Sequence, residues 1–167
     1  MSALYFEDVE QGAEIPRVVK GPMSTAHIMR WSAAMENWHR IHYDWRFATQ
    51  HDKLPDVLVN GSWKQHVLVQ LVKDGLGSAG WLWKLRFRYK GMDIAGDTIF
   101  GRAEITAKQR AGGFGFLTLR IDLHNQRDVV STVGSAIGVV PLRGGSPVPY
   151  PFVPSAAYDG IELPSDE

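Results

Sequence analysis

Asn60-Gly-Ser-Trp-Lys-Gln-His-Val-Leu-Val-Gln-Leu-Val-Lys-Asp-Gly-Leu-Gly77, followed three residues later by Trp81-Leu-Trp-Lys-Leu-Arg-Phe-Arg-Tyr-Lys90, contains the change of period that decides the fold. In the first stretch Trp63, Val67, Leu68, Leu71 and Val72 stand on one stripe at i, i+4 and i+8 with further apolar positions beside it. This spacing predicts a helix that is mostly buried and that ends at Gly75-Leu-Gly77. In the second, Trp81, Trp83, Leu85, Phe87 and Tyr89 alternate with Lys84, Arg86, Arg88 and Lys90. A period of two predicts a strand with its aromatic face on a core and its basic face in water.

Downstream the alternation returns. Ile99, Ala103 and Ile105 mark a second long strand, residues 116–124 a third and residues 129–140 a fourth. The connectors at residues 91–96, 111–113 and 125–128 are turn-like, so antiparallel neighbours are expected. From Pro141 onward the chain holds six of its nine prolines and no period. Residues 1–142 are therefore read as one domain and residues 143–167 as a Pro-rich tail lying extended over the surface or partly disordered.

Upstream, Ile15, Val18 and Val19 suit a short strand ended by Gly21-Pro22. Ser24 or Thr25 then caps a helix carrying Ile28, Trp31 and Met35 on one face. Residues 37–60 have no sustained period, and irregular segments of that length in a compact domain are usually functional. Strand, helix, long loop, buried helix and four long strands make an α+β domain in which an antiparallel sheet wraps a buried central helix. Its outer strands keep unpaired edges, for which a homodimer or higher homo-oligomer is the expected remedy.

Composition narrows the function. Eighteen Lys and Arg balance eighteen Asp and Glu in 167 residues, so the net field that draws in nucleic acid or anionic lipid is absent, and neither nucleic acid nor membrane is an expected partner. With no cysteine, disulfides, thiolate metal sites and a cysteine nucleophile are excluded together. Neither a secretory signal nor an apolar stretch of membrane-spanning length stands out, so a cytoplasmic protein is the expectation.

Chemistry-bearing side chains concentrate in Ala33-Ala-Met-Glu-Asn-Trp-His-Arg-Ile-His-Tyr-Asp44. The run Asn37-Trp-His-Arg-Ile-His-Tyr-Asp44 resembles the MaoC-like hot-dog hydratases and dehydratases, and more closely their type 2 hydroxyacyl-thioester dehydratase branch. Tyr5-Phe-Glu-Asp-Val-Glu-Gln-Gly12, Val59-Asn-Gly-Ser62, Ile94-Ala-Gly-Asp-Thr98 and Val139-Val-Pro-Leu-Arg-Gly-Gly145 are similar to further marks of that family.

The resemblance implies a hot-dog fold and reversible addition of water across the α,β double bond of a thioester carried on coenzyme A or acyl carrier protein. His42 matches the family's catalytic histidine, and an imidazole titrating near neutrality serves as acid in one direction and base in the other. Gly61 matches the residue whose backbone N–H, at the start of the central helix, stabilises charge on the thioester oxygen. Asn60, Ser62 and Trp63 beside it are expected to contact substrate. No dissociable cofactor and no metal are expected, since only water and a proton move.

Two departures stand against this reading. Asn37 replaces the wider family's Asp, a feature it shares with the closer branch, and is expected to orient a water without accepting a proton. Asn60 replaces a His and is expected to cap the helix through its side-chain oxygen. Both favour an alternative in which the chain is a non-catalytic acyl-thioester-binding or partner subunit of a heteromeric dehydratase. A thioesterase would need a carboxylate or nucleophile on the central helix, where Ser62 is the one candidate.

Plainer readings compete residue by residue. His42 also reads as a turn-capping histidine, Asn37 as a helix C-cap, Arg40 as half of a surface ion pair, Trp63 and Val67 as core, and Lys84, Arg86, Arg88 and Lys90 as a solvated sheet face. A His39-x-x-His42 metal pair lacks a clear third ligand nearby.

Overall fold

The computed structural model describes residues 3–165. Five strands form one antiparallel sheet: β1 (Val18–Lys20), β2 (Trp81–Tyr89), β3 (Ile99–Ala111), β4 (Phe114–Asn125) and β5 (Val130–Pro141). Helix α1 (Thr25–Ala34) and helix α2 (Gly61–Leu76) precede the long strands. The strand order is β1-β3-β4-β5-β2. Tight turns join β3, β4 and β5 as the sequence predicts, but β2 does not sit beside β3. It crosses to the far edge and pairs with β5, leaving its own outer edge without a partner strand among the described residues.

The sheet wraps α2 because both surfaces are apolar where they meet. Val67, Leu68, Leu71, Val72 and Leu76 of α2 join Ile99, Ile105, Leu119, Ile121, Leu123 and Ala136 in one buried cluster. Each Val, Leu or Ile among them contributes about 1.5–3 kcal/mol by leaving water. The end of α2 comes so close to β5 that a Cβ on Gly138 would lie 2.4 Å from a Leu76 methyl. Only glycine fits there without a shift.

One expectation about β2 is corrected. A bulge between Leu82 and Lys84 breaks the register with β5, and an extra residue flips the alternation. Leu82, Leu85 and Phe87 therefore face α2, whereas Trp81 and Trp83 face outward and pack in a second cluster with Phe116, Ile137, Val139 and Phe152.

That outer cluster is closed by the tail. Phe152 and Ile161 are buried in it, with Val148, Tyr158 and Leu163 against them. The basic row on β2 is consequently not a simple solvated face: Lys84 Nζ donates to the Ile161 carbonyl at 2.8 Å and pairs with Glu162 at 2.9 Å, and Arg86 donates to the Pro164 carbonyl. The segment runs extended, with one 3₁₀ turn at Ala156–Tyr158. No helix among the described residues is long and apolar enough to cross a membrane.

Candidate active site

The irregular stretch between α1 and α2 is fixed by local hydrogen bonds. At the end of α1, Glu36 takes φ +50°, its N–H donates to the Ala33 carbonyl at 3.2 Å, and the Asn37 N–H reaches back to Ser32 at 2.9 Å. This is the Schellman ending of a helix, with Glu36 where glycine is usual. The chain then enters a 3₁₀ turn, Arg40–His42. Asp44 stops it by accepting from the Phe47 N–H at 3.0 Å and from Arg40 Nη2 at 2.7 Å. Those two donors hold the Asp44 carboxyl below the usual carboxylate range, so Arg40 is committed to an ion pair, as its plain reading has it.

His42 is 7% exposed, and its Nδ1 lies 2.8 Å from the Leu58 carbonyl oxygen. A carbonyl only accepts, so Nδ1 carries the proton and neutral His42 presents Nε2 as a free base. Burial, the largest influence, pushes the imidazole below its ordinary value of 6.5; the Leu58 bond opposes this and His39, whose ring is 6.2 Å away, reinforces it. The ring is therefore neutral at pH 7.

Leu58 also fixes the geometry between His42 and α2. Its N–H donates to the Ile41 carbonyl at 2.9 Å, and it bridges Ile94 in the segment that leads to β3. The histidine is thus tied to a residue three positions before Gly61.

At the start of α2 no side chain caps the helix. The Gly61 and Ser62 N–H groups have no acceptor among the described residues, leaving donors and the positive end of the helix dipole available. The expected cap by Asn60 is corrected: its amide, 1% exposed, is exchanged with Ser32 of α1, Nδ2 donating at 3.0 Å. The Asn60 side chain is thus engaged with α1 and makes no capping bond to the start of α2.

The remaining predicted residues divide. Ser62 Oγ accepts from Trp31 Nε1 at 2.9 Å, so it joins α1 to α2. Trp63 is half-buried on the core and also lines a cleft beside α1. Asn37 Oδ1 accepts from the His39 N–H at 3.3 Å; it is half-buried and makes no hydrogen bond to His42 or Gly61 among the described residues, although His39 links it to His42 through a backbone bond of 3.1 Å.

Besides Leu58, three residues escaped the sequence reading: Tyr89, Lys64 and Asp93. Tyr89 stands against Gly61, where a Cβ would lie 2.9 Å from its Cζ and 3.0 Å from its hydroxyl, and burial raises the pKa of that hydroxyl. Lys64, one turn into α2, buries its ammonium 3.1 Å from Asp93 and donates to the Gly91 carbonyl at 2.9 Å. Lys64 precedes Leu68 by four residues and Leu71 by seven, so its place on the buried stripe was the available signal. A separate groove of about 550 Å³ lies on the outer sheet face between Arg86, Arg120 and the tail residue Pro164, on the side away from α2.

An antiparallel sheet around a buried helix, with a histidine-bearing loop held at that helix's start, is the hot-dog architecture of MaoC-like dehydratases. Solved structures agree: a MaoC-like dehydratase from Rhodospirillum rubrum is 19% identical with TM-score 0.73, covering 84% of this chain and 99% of its own. An (R)-hydratase from A. caviae involved in PHA biosynthesis is 20% identical with TM-score 0.72, over 81% and 99%. The ChsH1-ChsH2 complex from Mycobacterium tuberculosis contains a chain 18% identical with TM-score 0.68, over 78% and 98%. No curated protein sequence matches. The model of the hydroxyacyl-thioester dehydratase type 2 family matches residues 7–97, and the chain belongs to that family.

Proposed function

We propose that the protein is an enoyl-thioester hydratase and 3-hydroxyacyl-thioester dehydratase, with His42 as its acid/base. The observation that carries this reading is the bond from His42 Nδ1 to Leu58 O. It leaves Nε2 as the free base and ties it to the segment that delivers the uncapped N-terminus of α2.

In the hydration direction Nε2 takes a proton from water as its oxygen bonds to the β carbon. The π electrons move to the thioester oxygen, where the Gly61 N–H receives the charge; removing one such donor elsewhere costs about 3 kcal/mol of barrier. The imidazolium then returns its proton to the α carbon as the C=O re-forms. Dehydration is the reverse, so one imidazole serves both steps. Asn37 orients the water through its amide and does not take the proton. Water and a proton are the only species that move, so the reaction requires no dissociable cofactor or metal. The substrate is an acyl thioester of coenzyme A or of a carrier protein, and the unpaired edge of β2 suits a homodimer or larger homo-oligomer.

Asn37 supports a second reading, a non-catalytic subunit of a heteromeric dehydratase, because it lacks the carboxylate of the wider family. The test is loss of enoyl absorbance when the purified chain meets a panel of enoyl-thioesters, with His42→Ala alongside. Turnover that falls by roughly 100-fold or more in the variant, as expected for a lost general acid/base, supports the enzyme. A folded chain that binds these thioesters and turns none over supports the partner subunit.

A further inference from the structure

Beside the start of α2 lies a cleft of about 430 Å³ between β1, α1 and α2, lined by Lys20, Met23, His27, Arg30, Trp31 and Trp63 among others. Its size is within the range of about 300–1,000 Å³ typical of small-ligand sites. The lining residues include two permanent cations and no carboxylate. Neither Lys20 nor Arg30 has an ion-pair or hydrogen-bond partner among the described residues, whereas Arg40, Arg102, Arg110, Arg120 and Arg127 are each paired with an acid.

His27 adds a donor of fixed identity. Its Nδ1 accepts from the Ser24 N–H at 3.2 Å, so the neutral ring carries its proton on Nε2. The indoles are held in place as well: Trp31 Nε1 is tied to Ser62 at 2.9 Å with His66 against its ring at 5.3 Å, and Trp63 packs on the core. Preset aromatic surfaces beside unpaired cations suit a ligand with a planar base and phosphate groups, the base stacking and the phosphates meeting guanidinium and ammonium.

We propose that this cleft binds the nucleotide end of a coenzyme A thioester, adenine between the indoles and phosphates at Lys20, His27 and Arg30. The inference rests on the proposed function for what lies at the other end of the ligand. Trp63 is two residues beyond Gly61, so one turn of α2 serves both the cleft and the oxyanion donors. A carrier protein would bring a phosphodiester and no base, leaving the indoles without a role.

Adenosine 3′,5′-bisphosphate is titrated calorimetrically into the full-length protein and into Lys20→Gln/Arg30→Gln, whose two side chains hold no partner that folding requires. The proposal expects binding by the unsubstituted chain, weakened by roughly tenfold or more in the variant. In kinetics the variant should raise KM for an enoyl-coenzyme A by a similar factor with kcat nearly unchanged. KM for the matching N-acetylcysteamine thioester, which has no nucleotide, should stay constant.

Failure of the bisphosphate to bind overturns the cleft assignment, as does a variant whose KM is unchanged for enoyl-coenzyme A or shifts equally for both thioesters. A KM change seen with carrier-protein thioesters alone also overturns it. Nucleotide binding that the variant loses, in a chain that hydrates nothing, upholds the cleft and sinks the enzyme. Turnover whose KM ignores both cations does the reverse.

Discussion

His42 and Leu58, sixteen residues apart, are joined by one hydrogen bond of 2.8 Å from imidazole Nδ1 to backbone carbonyl. Its consequence is chemical as well as geometric, because it fixes the tautomer and leaves Nε2 as the only ring nitrogen able to act as a base.

The pH dependence follows. If His42 is the proposed base, its reactive form is the neutral ring, and burial lowers its pKa, so the acid limb of kcat/KM should have its midpoint below 6.5, with a plateau above it. The sign for stability is the same. A histidine that holds its proton less well folded than unfolded contributes stability that is complete above about 6.5 and lost as pH falls from there through the lowered folded value. A pH-rate profile whose acid midpoint is at or above 6.5 would contradict the assignment of His42 as the buried base.

Gly61→Ala tests the start of α2. Its new methyl would meet the Tyr89 ring at 2.9–3.1 Å, so either the ring or the first turn must move. Restoring ordinary contact takes a shift of roughly half an ångström, which at the proposed oxyanion donor should reduce kcat by less than the roughly 100-fold that a full 1 Å misplacement can cost. Adding Tyr89→Ala removes the obstacle, and kcat of the double variant should recover at least in part. A double variant no better than Gly61→Ala would show that the ring is not the cause.

Glu36 is an opportunity for stabilisation. Its φ of +50° is strained for any side chain with a Cβ, and its carboxylate stands at the negative end of α1. Glu36→Gly should stabilise by about 0.5–1 kcal/mol, or roughly 1–4 °C in Tm for a chain of this size. Glu36→Lys separates the two effects, since it relieves the charge and keeps the strain. A thermal melt in which glycine gives no gain over lysine would remove the backbone argument.

The buried helix was legible from Val67, Leu68, Leu71 and Val72 because helical periodicity is a local property. The order of the strands was not, since the pairing of β2 with β5 joins residues about fifty positions apart and depends on the whole sheet. Trp81 and Trp83 were assigned to the wrong face because a single bulged residue at Leu82–Lys84 reverses a period of two and leaves no mark in composition. In the site, His42 was visible through its motif, but Leu58 was not, because every residue offers a carbonyl. Asn60 misled: a buried amide at a helix start matches the cap pattern, and only the structure shows Ser32 within its reach. The tail was half legible, as Phe152, Tyr158 and Ile161 are apolar residues that a solvated tail would not need.

Lys64 and Asp93 carry the sharpest energetic prediction. Their side chains are 4% and 0% exposed and 3.1 Å apart. The Asp93 carboxylate accepts no hydrogen bond among the described residues, which leaves the ammonium as its counter-charge. Removing one partner strands the other, so Lys64→Met should cost about 3–5 kcal/mol. Replacing both by apolar residues, Lys64→Met/Asp93→Leu, removes the stranded charge and should recover most of that loss, since a buried pair often gives no net stability over an apolar replacement. The pair also joins the first turn of α2 to the segment after Tyr89, through the Lys64 bond to Gly91. A stable double variant should therefore still show reduced kcat from a less fixed Tyr89 and Gly61. Urea unfolding of the two single variants and the double variant gives the coupling energy directly. A single variant that loses less than about 1 kcal/mol would mean that water reaches the pair and that it does not fix the start of the helix.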